Sequence, residues 1–471
     1  MAEDGLTIDG INCTELGLKP PLVSVIIVNW NYARFVGAAI DSIRGQDYSH
    51  FECLVIDNSS TDDSRTVIAR QIDGDARFSF LFLDENHGMM GAWLEALDRV
   101  KGEFITFLDA DDIKFPNFIS SHVQVHLAGR LGIGFTSSRV VEIDANDRVI
   151  NGSNLGFGFN PFDREPRGLK PRETVPRITT VSDADYDILD KCTSWIGPEK
   201  SGWYWAPTSA NVYRRSVMDL ARPDIDACIN FIFADVYFSL LCHILGGSAV
   251  IDRTLSAYRI HAESASNVFP SMAQMRTSKK RAVANSMLSR QFVLRTLLGR
   301  ADSLSWIIKD RYWQAINQQS GEIDEALAAY YANPEIQQIF AENLIALILA
   351  FGIEVTITEF NPRFPSTESR LVILRYLLSQ APRFAASIYP EIYWNLVDWC
   401  GAGFDAGNYL SRPKVKALFV QYCDRMIAAF GRRRTLTELR RRYRIKDWCA
   451  LIWETRRGWL FPSASLEVRG R

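Results

Sequence analysis

The sequence predicts an α/β fold, a parallel sheet with helices on its faces, followed by a mostly α-helical second domain. Three observations predict it. Short β-rich apolar runs recur at residues 23–28 (VSVIIV), 52–56 (ECLVI), 79–83 (SFLFL) and 103–108 (EFITFL). Between them apolar residues take helical spacing, as in Phe35, Ala39, Ile40 and Ile43 or Met90, Trp93, Leu94 and Leu97, so strand and helix alternate. Beyond Ser264 almost everything reads helical, punctuated by Pro334, Pro362, Pro365, Pro382 and Pro390.

Taken in order, residues 1–20 read as a tail, because they hold acids, glycines and short apolar pieces without the basic start and apolar core of a secretory signal. The βαβ alternation from residue 21 implies a sheet whose ligands bind beyond the carboxyl ends of the strands. Those ends are Asn29–Asn31, Asp57–Thr61, Asp84–Gly88 and Asp109–Asp112. From 144 to 207 the pattern breaks into Pro, Gly, Asn and charge, with Trp195, Trp203, Tyr204 and Trp205, and is expected to be a functional loop on the acceptor side. A helical pattern returns at 232–245 and a strand at 249–258.

At 471 residues the chain exceeds what one hydrophobic core usually serves, so two folded units are expected. An apolar fraction of 47% and a net charge of -2 fit an ordinary globular protein with no global attraction to nucleic acid. Eight cysteines without a CxxC pair argue against a disulfide framework and for a reducing compartment. The apolar stretch 344–353 is bounded by Glu342 and Glu354 and is too short to span a bilayer, so no transmembrane helix is expected. A cytoplasmic protein is expected, peripheral to the inner face of a membrane at most.

The richest chemistry lies in Phe107-Leu108-Asp109-Ala110-Asp111-Asp112, three carboxylates crowded at a strand end. Such acids repel one another unless a cation or solvent compensates. A hard divalent metal bridging carboxylate and phosphate oxygens would do so; a solvated turn capping the next helix is the alternative. Asp57, with Asn58 beside it, could accept the imide N–H of a pyrimidine base, whereas Asp62 is expected to cap a helix. Trp30, between Asn29 and Asn31, could give that base an aromatic face or pack in the rim. His122 and His126 sit four apart but lack the third ligand of a zinc motif. Trp203 and Trp205 are candidates for stacking on an acceptor sugar.

The run from Val23 to Gln46, ECLVIDNSSTD at 52–62, Asn86-His87-Gly88, Gly102-Glu103 and LDADD at 108–112 together resemble the inverting glycosyltransferase family 2. The resemblance covers about half the chain and implies a GT-A fold, a Rossmann-like mixed sheet flanked by helices, over residues 21–268, with 269–471 a helical domain of unknown role. It implies that Asp109 and Asp111 are a DxD pair holding Mn2+ or Mg2+. Asp57, Asn58, Trp30, Asn31 and Gly88 would line the nucleotide-sugar site, with Asp109. Phe233-Ala234-Asp235-Val236 resembles the family's Glu-Asp motif with its Glu replaced, and the general base carries to Asp235. Tyr258-Arg259-Ile260-His261 resembles the Tyr-Arg-x-His close of the domain, which would bring His261 to the metal.

The implied activity is transfer of a hexosyl-type sugar from a nucleotide-diphosphate donor, uridine-linked, to a glycan, lipid-linked or other hydroxyl acceptor in cell-envelope polysaccharide biosynthesis. Where relatives have Ala-Arg-Asn this chain has Ala92-Trp93-Leu94, so a cation near the diphosphate is missing and Arg259 would have to serve. No QxxRW motif follows Asp235, which favours single transfer over processive synthesis. A nucleotidylyltransferase would need a Gly-rich loop after the first strand, where NWNYAR stands instead. A non-catalytic glycan-binding or scaffolding relative is the other alternative, suggested by Ala234 and Trp93. Finally, residues 432–457 carry ten arginines and lysines against three acids, with Trp448, Trp453, Trp459 and Phe461 interleaved. Peripheral membrane contact through 432–461 and a solvated helix packing its aromatics are both open.

Overall fold

The computed structural model describes residues 5–8, 11–129, 132–154, 169–223, 233–261, 279–320, 324–401 and 412–442. They fall into two compact units, Met1–Val293 and Leu294–Arg471.

Near the N-terminus β1 (Leu6–Ile8) and β2 (Ile11–Asn12) pair antiparallel. The first twenty residues, expected as a tail, thus contribute structure, with Leu6 and Cys13 buried. The main sheet starts with β3 (Val23–Asn29), α1 (Val36–Arg44), β4 (Phe51–Asp57), α2 (Ser64–Ile72), β5 (Phe78–Phe82), α3 (Gly88–Leu97) and β6 (Phe104–Asp109). Its strands pair in parallel in the order β6-β3-β4-β5. Parallel strands are covered on both faces, so Val25, Ile26 and Ile27 are all buried where an alternating pattern would leave one out. Helix α1 turns Val36, Ala39, Ile40 and Ile43 inward at helical spacing. In the register Asn29 lies opposite Asp57 and Val28 opposite Asp109. The polar residues ending each apolar run therefore stand side by side at the carboxyl edge.

The unit continues with β7 (Ile113–Lys114), α4 (Phe118–Ala128), β8 (Phe135–Ile143), β9 (Val149–Asn154), β10 (Arg177–Ile178), α5 (Asp183–Cys192), β11 (Thr193–Ile196), β12 (Asn211–Arg214), α6 (Arg215–Ala221), α7 (Ala234–Gly246) and β13 (Ser248–Arg259). Strand β12 runs antiparallel to β6 and β8, and β13 parallel to β8, which makes the sheet mixed. This is the Rossmann-like mixed sheet flanked by helices that the sequence leads one to expect. The stretch 144–207 is more ordered than the expected loop. Ser182 caps α5 by accepting from the Asp185 N–H, and β11 pairs with β13, Thr193 opposite Ile251. Residues 155–168 lie outside the described residues.

Two features of the sequence resolve into core packing. Trp93 lies flat on Phe107, ring centroids 3.4 Å apart, so the position where relatives carry Arg is filled by an interior aromatic stack. His122 and His126 are buried on α4, with Nδ1 of His122 2.7 Å from Thr136 Oγ1 and Nε2 of His126 3.1 Å from the Val212 carbonyl. Burial pushes both imidazoles down, His126 to about 3, so they are neutral core groups.

The second unit is helical throughout its described length, from Ala301–Ile308 to Arg432–Arg442. Asn333 caps Pro334–Glu342 with proline in the first turn, where its missing N–H costs nothing. Aromatic rings fill the core, among them Phe340, Phe360 and Phe364, packed edge to face. The apolar stretch after Glu342 runs farther than expected, through Glu354 to Arg363, and is the one described helix long and apolar enough to cross a membrane. It leaves helical geometry at Gly352 (φ 77°, ψ 167°), interrupting the hydrogen-bond ladder midway. Of the basic segment only Arg432–Arg442 is described; Trp448, Trp453, Trp459 and Phe461 lie outside the described residues.

Candidate active site

The carboxyl edge gathers two groups of polar side chains. The first surrounds Asp57, which is fully buried. Its Oδ1 accepts from Asn29 Nδ2 at 3.0 Å, and its Oδ2 accepts from the Ser60 N–H at 3.1 Å and Arg65 Nε at 2.9 Å. Asn31, at a left-handed φ of 59°, reaches across with its Oδ1 2.7 Å from the Thr61 N–H. Asn58 receives the His87 N–H at 2.9 Å and donates to the Gly88 carbonyl at 3.2 Å, fixing the loop into α3. Gly88 itself adopts φ 66°, a conformation glycine takes without the steric cost of a Cβ. Trp30 is 53% exposed, leaving ring surface in solvent beside this cluster. Asp62 accepts from the N–H groups of Ala33 and Ser64, but the N-cap of α2 is Asp63 with no side-chain cap, so the expected capping role is corrected: Asp62 ties the loop after β3 to the start of α2.

The second group is the acidic turn. After β6 the Asp112 N–H closes on the Asp109 carbonyl at 3.0 Å, which throws Ala110 inward and brings the carboxylates together. Asp109 donates its N–H to Ser209 Oγ at 3.2 Å. Burial and the charges of Asp111 and Asp235 push the Asp109 carboxyl up to about 7, partly offset by Lys114. Burial and the same crowding by Asp111 and Asp109 raise Asp112 well above the usual range. Asp111 Oδ2 meets His261 Nε2 at 2.9 Å.

Asp235 enters from α7, in its first turn, where the positive end of the helix dipole favours an anion. Burial raises its carboxyl, opposed by the Val236 N–H, the Thr208 hydroxyl and its own N–H. Its charge is one of those that raise the Asp109 carboxyl. A carboxylate so placed has an increased affinity for a proton, which suits a base.

The Tyr-Arg-x-His segment lies behind the acidic turn. Arg259 is 2% exposed. Its Nε donates to the Asp111 carbonyl at 2.6 Å, its Nη1 to the Asp144 carbonyl at 2.9 Å and to Asp147 Oδ1 at 2.7 Å. The expectation that Arg259 serves as a cation facing the diphosphate is corrected here: buried and bound to the turn, it braces Asp111 from behind. His261, packed against Phe35 and Tyr32, has its Nε2 engaged by Asp111 and so orients that carboxylate. Beside this pair opens a depression of about 610 Å³ lined by Asn31, Arg34, Phe35, Asp62, Ala145 and His261.

Among the described residues no group of three or more His, Cys, Asp or Glu is disposed as a ready metal cage. The donor set at the turn is two carboxylates, Asp109 and Asp111. Magnesium and related hard ions take such a set when phosphate oxygens and water complete the shell. The crowded acids, whose repulsion Lys114 only partly offsets, therefore fit a cation that arrives with a diphosphate.

The aromatic pair separates. Trp205 is fully buried, its Nε1 donating to Ser248 Oγ at 2.8 Å, so its expected contact with an acceptor is corrected to a core role. Trp203 is half-buried and packs edge-on against it, ring centroids 5.1 Å apart. Sequence reasoning missed Arg65, which pairs with Asp57, although a cation opening the helix after a strand-end acid was the available signal. It also missed Lys114, buried beneath the turn, whose Nζ donates to the Ser209 carbonyl and sits 3.7 Å from the Phe118 ring centroid.

Comparison with known proteins adds relatives to this geometry. A model described as Glycosyl transferase family 2 matches residues 24–178. The chain is 35% identical over 197 residues to the putative teichuronic acid biosynthesis glycosyltransferase TuaG of Bacillus subtilis (strain 168), a match covering 39% of this chain and 74% of that protein. It is 30% identical over 120 residues to the Escherichia coli UDP-Glc:alpha-D-GlcNAc-diphosphoundecaprenol beta-1,3-glucosyltransferase WfgD, covering 26% and 47%. Among solved structures, S. aureus TarS 1-349 in complex with UDP aligns over 85% of this chain and 91% of that one at 13% identity, and a TM-score of 0.37 marks a loose superposition.

Proposed function

This chain belongs to glycosyltransferase family 2, and from that premise we propose that it moves one sugar from a uridine diphosphate-linked donor to a hydroxyl of a glycan or lipid-linked acceptor, with inversion. The observation carrying this reading is the acidic turn at the carboxyl edge: the Asp112 N–H closes it on the Asp109 carbonyl, His261 holds Asp111, and the Asp109 carboxyl is raised by burial and by the charges of Asp111 and Asp235. Asn31 offers a polar edge and Trp30 a face for the base, and the buried Asp57 and Asn58 fix the loops that carry this site through their hydrogen bonds. Asp235 accepts the proton of the acceptor hydroxyl as that oxygen attacks the anomeric carbon from the side opposite the diphosphate. Asp109 and Asp111 would hold Mn2+ or Mg2+, which when bound neutralises charge on the departing diphosphate. His261 and Arg259 keep Asp111 in place, and Trp203 borders the acceptor side. The names of TuaG and WfgD support a role in cell-envelope polysaccharide assembly with a UDP-sugar donor and a polyprenyl diphosphate-linked acceptor.

The reading is tested by incubating the protein with manganese and a panel of nucleotide sugars, without acceptor, and following nucleoside diphosphate release. Slow release from a uridine-linked donor, stopped by chelation, is expected. Binding of a glycan without release from any donor would favour the non-catalytic reading instead.

A further inference from the structure

The second unit carries a basic surface that the transfer reaction does not use. Helix Arg432–Arg442 packs inward through Thr435 and Leu439, both fully buried, and Thr435 Oγ1 donates to the Met426 carbonyl at 3.1 Å. At about 100° per residue, Thr437 and Arg441 lie opposite those two residues and Arg433 and Arg440, seven apart, adjoin them on the solvent side, all four exposed. Among the described residues Glu391 pairs with Arg434, Asp398 and Glu438 with Arg442, and Glu438 also with Arg441. Of these carboxylates Glu438 reaches Arg441 on the outer face, and none pairs with Arg433 or Arg440. On the flank marked by Arg434, Tyr389 is 76% exposed, two residues before the Glu391 that holds Arg434.

We infer that the outer face of Arg432–Arg442, with Tyr389 at its side, docks on an anionic lipid surface. The guanidinium row presents donors for lipid phosphates at one level, and an exposed tyrosine suits the headgroup region, where one end of the ring is apolar and the other wet. The whole chain carries a net charge of -2, so attraction to an anionic surface has to come from a local patch such as this one. Docking on lipid is independent of sugar transfer: it is read without donor or acceptor, and the catalytic reading can fail while it stands.

The test is flotation of the full chain at low salt with phosphatidylglycerol-containing vesicles, beside pure phosphatidylcholine vesicles and a single-stranded RNA of matched charge. Binding to the anionic vesicles alone is expected, lost at high salt. The triple variant Arg433→Glu, Arg440→Glu, Arg441→Glu should weaken it by on the order of a hundredfold, with a melting temperature lowered only slightly, because the side chains are exposed and the Arg441–Glu438 pair it removes is a surface one. The milder Arg433→Gln, Arg440→Gln pair should give an intermediate loss and guards against misfolding of the triple variant. Equal binding to neutral vesicles, preference for the RNA, or an unaffected triple variant would overturn the inference.

Discussion

Replacing Asp235 by asparagine lowers sugar transfer by on the order of a hundredfold to ten-thousandfold and leaves donor affinity within a few-fold of wild type, because asparagine keeps the size of the side chain but cannot take a proton at neutral pH. The setting of the residue supports that separation. Asp235 stands in the first turn of α7 and donates nothing to the core. Burial raises its carboxyl while the Val236 N–H and the Thr208 hydroxyl hold it in place, contacts that an amide oxygen can still accept. The family's neighbouring Glu is Ala234 here, fully buried, so the orientation of the base comes from the helix terminus and Thr208. Single-turnover transfer measured beside nucleotide binding checks the prediction; a wild-type transfer rate would assign the base elsewhere.

Asp109→Ala and Asp111→Ala each remove cation-dependent donor binding while the fold persists. The loss should exceed the roughly ten- to hundredfold that follows removal of a partner merely supporting a metal ligand. Each truncation relieves crowding that burial already makes unfavourable, since Asp111 is a cause of the raised carboxyls of both Asp109 and Asp112, while Asp111→Ala also removes the hydrogen bond to the buried His261. Melting temperature is therefore expected to hold or rise in Asp109→Ala and to fall slightly at most in Asp111→Ala. Calorimetry with uridine diphosphate and manganese reads the affinity. Undiminished, manganese-dependent binding in both variants would remove the cation from this turn.

The catalytic half was legible where the chain obeys short-range rules. Apolar β-rich runs ending in Asn29, Asp57 and Asp109 announce parallel strands, and parallel register then sets those residues side by side without further information. What depended on distant partners was hidden. Strand β11 is four residues in a segment dense with proline, glycine and charge, and it exists by pairing with β13, more than fifty positions on. The N-terminal strand β1 likewise depends on β10, with Leu6 opposite Ile178. Trp205 lies near Asp235 in sequence, but sequence cannot say which way an indole turns; its N–H found Ser248 in the core. Arg259 was read as a free cation because carbonyl partners at Asp111 and Asp144 leave no mark in the amino-acid sequence. The helical half carried patterning without motifs, so its elements were foreseeable and its role was not.

The central claim is that one edge of the sheet binds a nucleotide sugar through Asp109 and Asp111 and transfers it through Asp235. It is tested most directly by measuring donor occupancy and sugar transfer on the same samples of wild type, Asp109→Ala and Asp235→Asn, with manganese present. The predicted result is that Asp109→Ala loses both and Asp235→Asn loses transfer alone. Wild-type transfer by Asp235→Asn together with undiminished donor occupancy in Asp109→Ala would contradict the account.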